Sequence, residues 1–193
     1  GADRGNLIEG NARDGIQISA LLDPIDGRVK IANNSILSNS TGGIDISGGS
    51  FTFAGSGLFS AIDNNLIAFN DGKGIDINSN GQTLFIRGNT ITENTSDGLE
   101  ILSANNITVT EDGVTRSIGR FDAVTSVTAI GNFIDNNGGR GVDLQTEQRA
   151  NSDVIFGDGT EAGANYIVSN ALEGFYVVTT ASQGQDQDAD STD

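Results

Sequence analysis

The chain has 193 residues, with 10 basic and 26 acidic side chains for a net charge of −16, and it contains no Cys, His, Met or Trp. That charge repels nucleic acid and anionic lipid surfaces, and the missing residue types exclude thiolate nucleophiles, disulfides, imidazole bases and the usual zinc sites. No run of about 18 apolar residues offers a membrane span, so any chemistry falls to carboxylates, Tyr, Lys, Arg and the backbone.

From Asn6 onward one phrase recurs six times: Asn, any residue, Ile, two residues, Asn, three residues, Gly, an apolar residue, one residue, an apolar residue. Its Ile positions are Ile8, Ile36, Ile67, Ile91, Ile134 and Ile167, spaced by 24 to 43 residues. A constant face separated by loops of free length is the pattern of a solenoid. Within each copy the Ile predicts one short strand. The apolar pair, such as Ile75 and Ile77 around Asp76, predicts a second with both Ile side chains on one face. A third strand precedes the phrase at Arg28-Val29-Lys30-Ile31, Thr83-Leu84-Phe85-Ile86 and Ser126-Val127-Thr128-Ala129. Between strands, the Asn and Gly positions predict corners with left-handed backbone. Three short strands per coil give an all-β, parallel β-helix solenoid of about six to seven coils.

Insertions follow the apolar pair. Gly48 to Gly57 is Gly-rich with Phe51 and Phe53, and Ile107 to Thr115 predicts a hairpin turning at Asp112-Gly113. If both lean over the neighbouring sheet they wall a groove, with Arg116 or Arg120 as counter-charges. The solenoid spans 1–182, and 183–193 reads as an acidic tail or linker of low hydropathy. Asp186, Asp188 and Asp190 in that tail have the spacing that opens a calcium loop, although Ser191 stands where its tight turn wants Gly. The chain begins at Gly1 without Met or a visible signal peptide, so it reads as a piece of a longer or matured polypeptide. Its Asp and Asn content with only two Lys fits an extracellular or cell-surface protein.

Stacked coils place equivalent residues about 4.8 Å apart. Asn11, Asn39, Asn70, Asn94, Asn137 and Asn170 then form a column of stacked amides, which also removes Asn39-Ser40-Thr41 and Asn94-Thr95-Ser96 as glycan acceptors. The columns Ile16, Ile44, Ile75, Leu99, Val142, Phe175 and Ile18, Ile46, Ile77, Ile101, Leu144, Val177 fill the interior.

The phrase, over Asn6 to Val177, resembles the coils of right-handed parallel β-helix proteins of the pectate-lyase-like superfamily, which includes pectate lyases, polygalacturonases, alginate epimerases and phage tailspikes. The resemblance implies the right hand of the coil. For the alginate epimerases among them it also implies a catalytic Asp at the residue between the two apolar positions.

That residue runs Gln17, Asp45, Asp76, Glu100, Asp143, Tyr176, so four successive coils present carboxylates in one line. Like charges this close repel and require compensation. It can come from a cation such as Ca²⁺, from a raised pKa, or from basic residues on the loops, unless the side chains splay apart in water. Asp45, Asp76, Glu100 and Asp143 are accordingly the candidate metal ligands, with the tail aspartates as a second set. The same four are the candidate catalytic residues of an alternative polysaccharide-active lyase or hydrolase, since adjacent coils can hold paired carboxylates about 5 Å apart. In alginate epimerases Pro and His follow the catalytic Asp, whereas Ile46, Ile77 and Leu144 follow here. A lyase of the pectate type wants an Arg or Lys near Ca²⁺, and the phrase is read as placing none on this face. The preferred expectation is a non-catalytic structural or adhesion module that binds Ca²⁺ or a surface glycan on its acidic sheet. Flanking domains or identical copies would cover the ends of its coil.

Overall fold

The computed structural model describes residues 5–20, 29–48, 60–79, 83–104, 106–111, 114–119, 124–147 and 151–180. Residues 49–57 of the first insertion, the Asp112-Gly113 turn, Arg120 and the tail with Asp186, Asp188 and Asp190 lie outside them. The groove walls and counter-charges expected there, including the Arg116 side chain, therefore stay with the sequence reading.

The described chain winds through six coils. The first holds β1 (Leu7–Glu9), β2 (Ile16–Ala20) and β3 (Lys30–Ala32), and the second β4 (Ser35–Leu37), β5 (Ile44–Gly48) and β6 (Ser60–Asp63). The third holds β7 (Leu66–Ala68), β8 (Ile75–Ser79) and β9 (Thr83–Arg87). The fourth has β10 (Thr90–Thr92), β11 (Leu99–Ala104), an inserted hairpin of β12 (Asn106–Glu111) and β13 (Val114–Gly119), and β14 (Val124–Ile130). Then come β15 (Phe133–Asp135), β16 (Val142–Glu147) and β17 (Asn151–Phe156), and finally β18 (Tyr166–Val168) and β19 (Phe175–Thr180). Strands one coil apart pair in parallel, giving sheets in the order β1-β4-β7-β10-β15-β18, β2-β5-β8-β11-β16-β19 and β3-β6-β9-β14-β17. The hairpin is antiparallel and separate, as expected. The molecule is thus a parallel β-helix solenoid, and among its described residues there is no helix long and apolar enough to cross a membrane.

Register follows the phrase without slippage, because a one-residue slip would turn every Ile of a coil outward. Ile36, Ile67, Ile91 and Ile134 stack in the first sheet, and Ile75, Leu99 and Val142 in the second, all fully buried. Ile62, Ile86 and Val127 close the core from the third. Interior positions open toward the two ends: Ile8, Ile16 and Ile18 of the first coil are only partly buried, and in the last coil Phe175 is 44% and Val177 56% exposed.

The corners are tied by two amide ladders. In the expected column, each Asn donates its side-chain amide and its backbone N–H to the Oδ1 of the next, as Asn70 does to Asn94 at 2.8 and 3.2 Å. The first Asn of the phrase builds a second ladder through Asn6, Asn34, Asn65, Asn89, Asn132 and Asn165. The left-handed residues are not these Asn, which corrects the sequence reading. Gly10, Asn33, Ser38, Asn64, Phe69, Gly88, Glu93, Gly131, Asn136 and Ser169 have positive φ, and each immediately precedes a ladder Asn. The corner is turned one residue early so that the Asn can aim its amide along the stack. Nor does the Gly of the phrase supply positive φ. It is required by close packing: a Cβ on Gly74 would lie 2.6 Å from the Gly98 carbonyl oxygen and against Ile91 of the next coil.

Candidate functional site

The carboxylate column lies on the outer face of the second sheet, in register: Gln17 beside Asp45, Asp45 beside Asp76, Asp76 beside Glu100, Glu100 beside Asp143, Asp143 beside Tyr176. All four predicted site residues are brought together, yet they do not splay into water. Side-chain exposure falls from 28% at Asp76 to 12% at Glu100 and 1% at Asp143.

The compensation comes from inside the phrase. Lys73 donates to Asp76 Oδ2 at 2.8 Å and also to Glu100, one coil further on. Arg140 donates to Asp143 Oδ2 at 2.7 Å and to Glu173 Oε2 at 3.0 Å, with its guanidinium carbon 3.8 Å from the centre of the Tyr176 ring. The expectation that no basic residue of the phrase shares this face is therefore wrong. The position just before the phrase Gly carries Asp14, Gly42, Lys73, Asp97, Arg140 and Glu173, and Lys73 and Arg140 reach from it to the outward residue three positions later. Its signs alternate over the last four coils. That alternation is the signal in the sequence that marks Lys73 and Arg140 as partners of the acidic column.

Electrostatics follow from these contacts. Burial opposes the charge on Lys73, but its bonds to Asp76 and Glu100 outweigh burial and hold the ammonium above its ordinary pKa. Burial likewise raises Glu100, against the pull of Lys73. Asp45 has Gly42 where Asp76 has Lys73 and Asp143 has Arg140. Burial raises its pKa, opposed by a 3.1 Å hydrogen bond from Gln17 and reinforced by the charges of Asp76 and Asp14. A raised pKa and basic partners thus share the compensation.

Two features remain. A shallow cleft of about 360 Å³ runs beside the column and is lined by Asp14, Asp45, Asp71, Lys73, Asp76 and Ser96 among others. Further along, one carboxylate oxygen each from Asp97, Glu100 and Asp143 lie within 4.8 Å of one another. Asp97, absent from the sequence-predicted set, also accepts the Arg140 backbone N–H at 2.5 Å through its Oδ1. Elsewhere Arg87 makes a bidentate pair with Asp63 across the third sheet, at 2.8 and 2.9 Å.

Fold and site together define the class, a parallel β-helix with a charge-compensated acidic face. Compared with family models, with curated proteins and with solved structures, the chain matches none.

Proposed function

We propose that the chain is a non-catalytic structural or adhesion module of an extracellular or surface protein, a right-handed member of the pectate-lyase-like group. The observation that carries this reading is the commitment of three of the four carboxylates of the acidic column. Asp76 and Glu100 share one ammonium, and Asp143 is buried under a guanidinium. A glycosidase needs one carboxyl free to give a proton and another free to attack or to activate water, and carboxylates locked by Lys73 and Arg140 serve instead to bind coil to coil. The right hand agrees with the strong preference of parallel crossovers. Regular ladders on three sheets give a stiff rod, and the open apolar positions of the last coil suit a further coil, from the same polypeptide or a second copy. The cleft beside Asp45 supplies acceptors and Lys73 to the hydroxyls of a neutral surface glycan.

The test compares Lys73→Met and Asp76→Asn for stability in urea and for release of reducing ends or unsaturated products from polysaccharides. On this reading Lys73→Met lowers the unfolding midpoint and no form of the protein turns over substrate. Turnover by the natural sequence that disappears in a stably folded Asp76→Asn would establish the enzyme reading in its place.

A further inference from the structure

We propose that Asp97, Glu100 and Asp143 form a site for one divalent cation, of the Ca²⁺ type, joining the fourth and fifth coils. Oxygens held by a single Ca²⁺ at its usual bond lengths of about 2.3–2.6 Å lie no further apart than about 5 Å, and the three carboxylate oxygens are within 4.8 Å of one another. A second observation concerns one of the same three side chains. Asp143 is 1% exposed, and its Oδ2 is taken by Arg140 at 2.7 Å and Gln145 at 2.9 Å, while its Oδ1 is buried with no partner. A buried carboxylate oxygen without a donor is costly, and a cation bound at the Asp143 carboxylate removes that cost.

Charge and donor type agree. Around the site stand Asp76, Asp97, Glu100, Asp143 and Glu173 against Lys73 and Arg140, five carboxylates to two basic groups, a net charge of −3. The only donors are hard oxygens, and these select Ca²⁺ over softer transition metals. Lys73 and Arg140 hold one oxygen each of Glu100 and Asp143, so the carboxylates are oriented before the ion arrives. The site goes beyond the structural reading, which rests on the Lys73 and Arg140 ion pairs alone, and failure of one leaves the other standing.

Tyr176 supplies a local reporter. It pairs with Asp143 on the adjacent strand, about 5 Å away, and the chain has no Trp and only one other tyrosine, Tyr166. The experiment titrates Ca²⁺ into the full chain by calorimetry, then Tb³⁺ with excitation through tyrosine. One ion is expected, with a dissociation constant between about 10⁻⁵ and 10⁻³ M. Asp97→Asn keeps the acceptor for the Arg140 N–H yet loses a charge, and it should weaken binding about tenfold or more, as should Asp143→Asn, while Asp45→Asn leaves it unchanged. Tb³⁺ emission should vanish in Tyr176→Phe and persist in Tyr166→Phe. No heat up to about 10 mM Ca²⁺, undiminished binding in Asp97→Asn, or emission that survives Tyr176→Phe would overturn the site. Circular dichroism of each variant separates lost binding from lost folding.

Discussion

Asn94→Ala tests whether the amide ladders hold the coils together or merely fill the corners. Asn94 is 1% exposed. Its Oδ1 accepts the backbone N–H of Asn70 at 3.2 Å and the Asn70 side-chain amide at 2.8 Å, and its own amide donates to the Ile67 carbonyl at 3.1 Å and to Asn137 Oδ1 at 3.0 Å. Truncation removes all four bonds. Asn137 Oδ1 keeps the Asn94 backbone N–H at 3.1 Å, and the Asn70 amide keeps the Ile36 carbonyl at 3.2 Å. The Asn70 backbone N–H loses its acceptor in a buried corner. A net hydrogen bond contributes roughly 0.5–1.5 kcal/mol and a stranded buried donor costs roughly 1–3 kcal/mol, so the expected loss is about 3–5 kcal/mol. That is a large fraction of a usual total stability of roughly 5–15 kcal/mol. Asn11→Ala, in the exposed first coil, removes a single side-chain bond to Asn39 at 2.8 Å and should cost under about 1 kcal/mol. Urea unfolding followed by circular dichroism gives both values, and amide exchange at the Asn70 N–H reports the local opening. A loss below about 1 kcal/mol at Asn94, or equal losses at the two positions, would refute a structural role for the ladder.

Gly74→Ala should destabilise by about 2–3 kcal/mol, because the added methyl meets backbone and Ile91 of the next coil rather than a movable side-chain tip; an unchanged thermal midpoint would show that the coils separate more easily than their packing implies. The pH dependence has a definite sign. Asp45 and Glu100 are raised chiefly by burial above their ordinary values of 3.8 and 4.5. An acid held protonated more tightly in the folded state gives stability that is present at low pH and fades as pH rises from the ordinary value through the folded one. Asp45→Asn should therefore flatten that decline and stabilise the protein at neutral pH by up to about 1 kcal/mol, measured as urea midpoints from pH 4 to 7; a steeper decline in the variant would contradict the raised pKa.

Much of the coil was legible because its columns rest on nearest-neighbour geometry. Ile67 and Ile91 must align once their phrases align, and an inward Ile admits no other register. The same logic placed Asp76 beside Glu100. What failed was local detail with more than one adequate cause. Gly and Asn are both tolerant of left-handed backbone, so Gly74 and Asn70 looked like turning residues. In the fold Phe69 does the turning, while Asn70 bonds along the stack and Gly74 makes room. Lys73 and Arg140 escape a reading by periodicity because a residue beside a corner has no strand alternation to say which way it points.

The sequence by itself determined the coil, its register and the line of carboxylates, since all three follow from a repeated pattern and the fixed spacing of paired strands. Tertiary structure alone decided which carboxylates are buried, which cation serves which acid, and that Asp97 joins Glu100 and Asp143. Those outcomes depend on side chains reaching between coils that lie 24 to 43 residues apart in the chain, at distances that no one-dimensional pattern records.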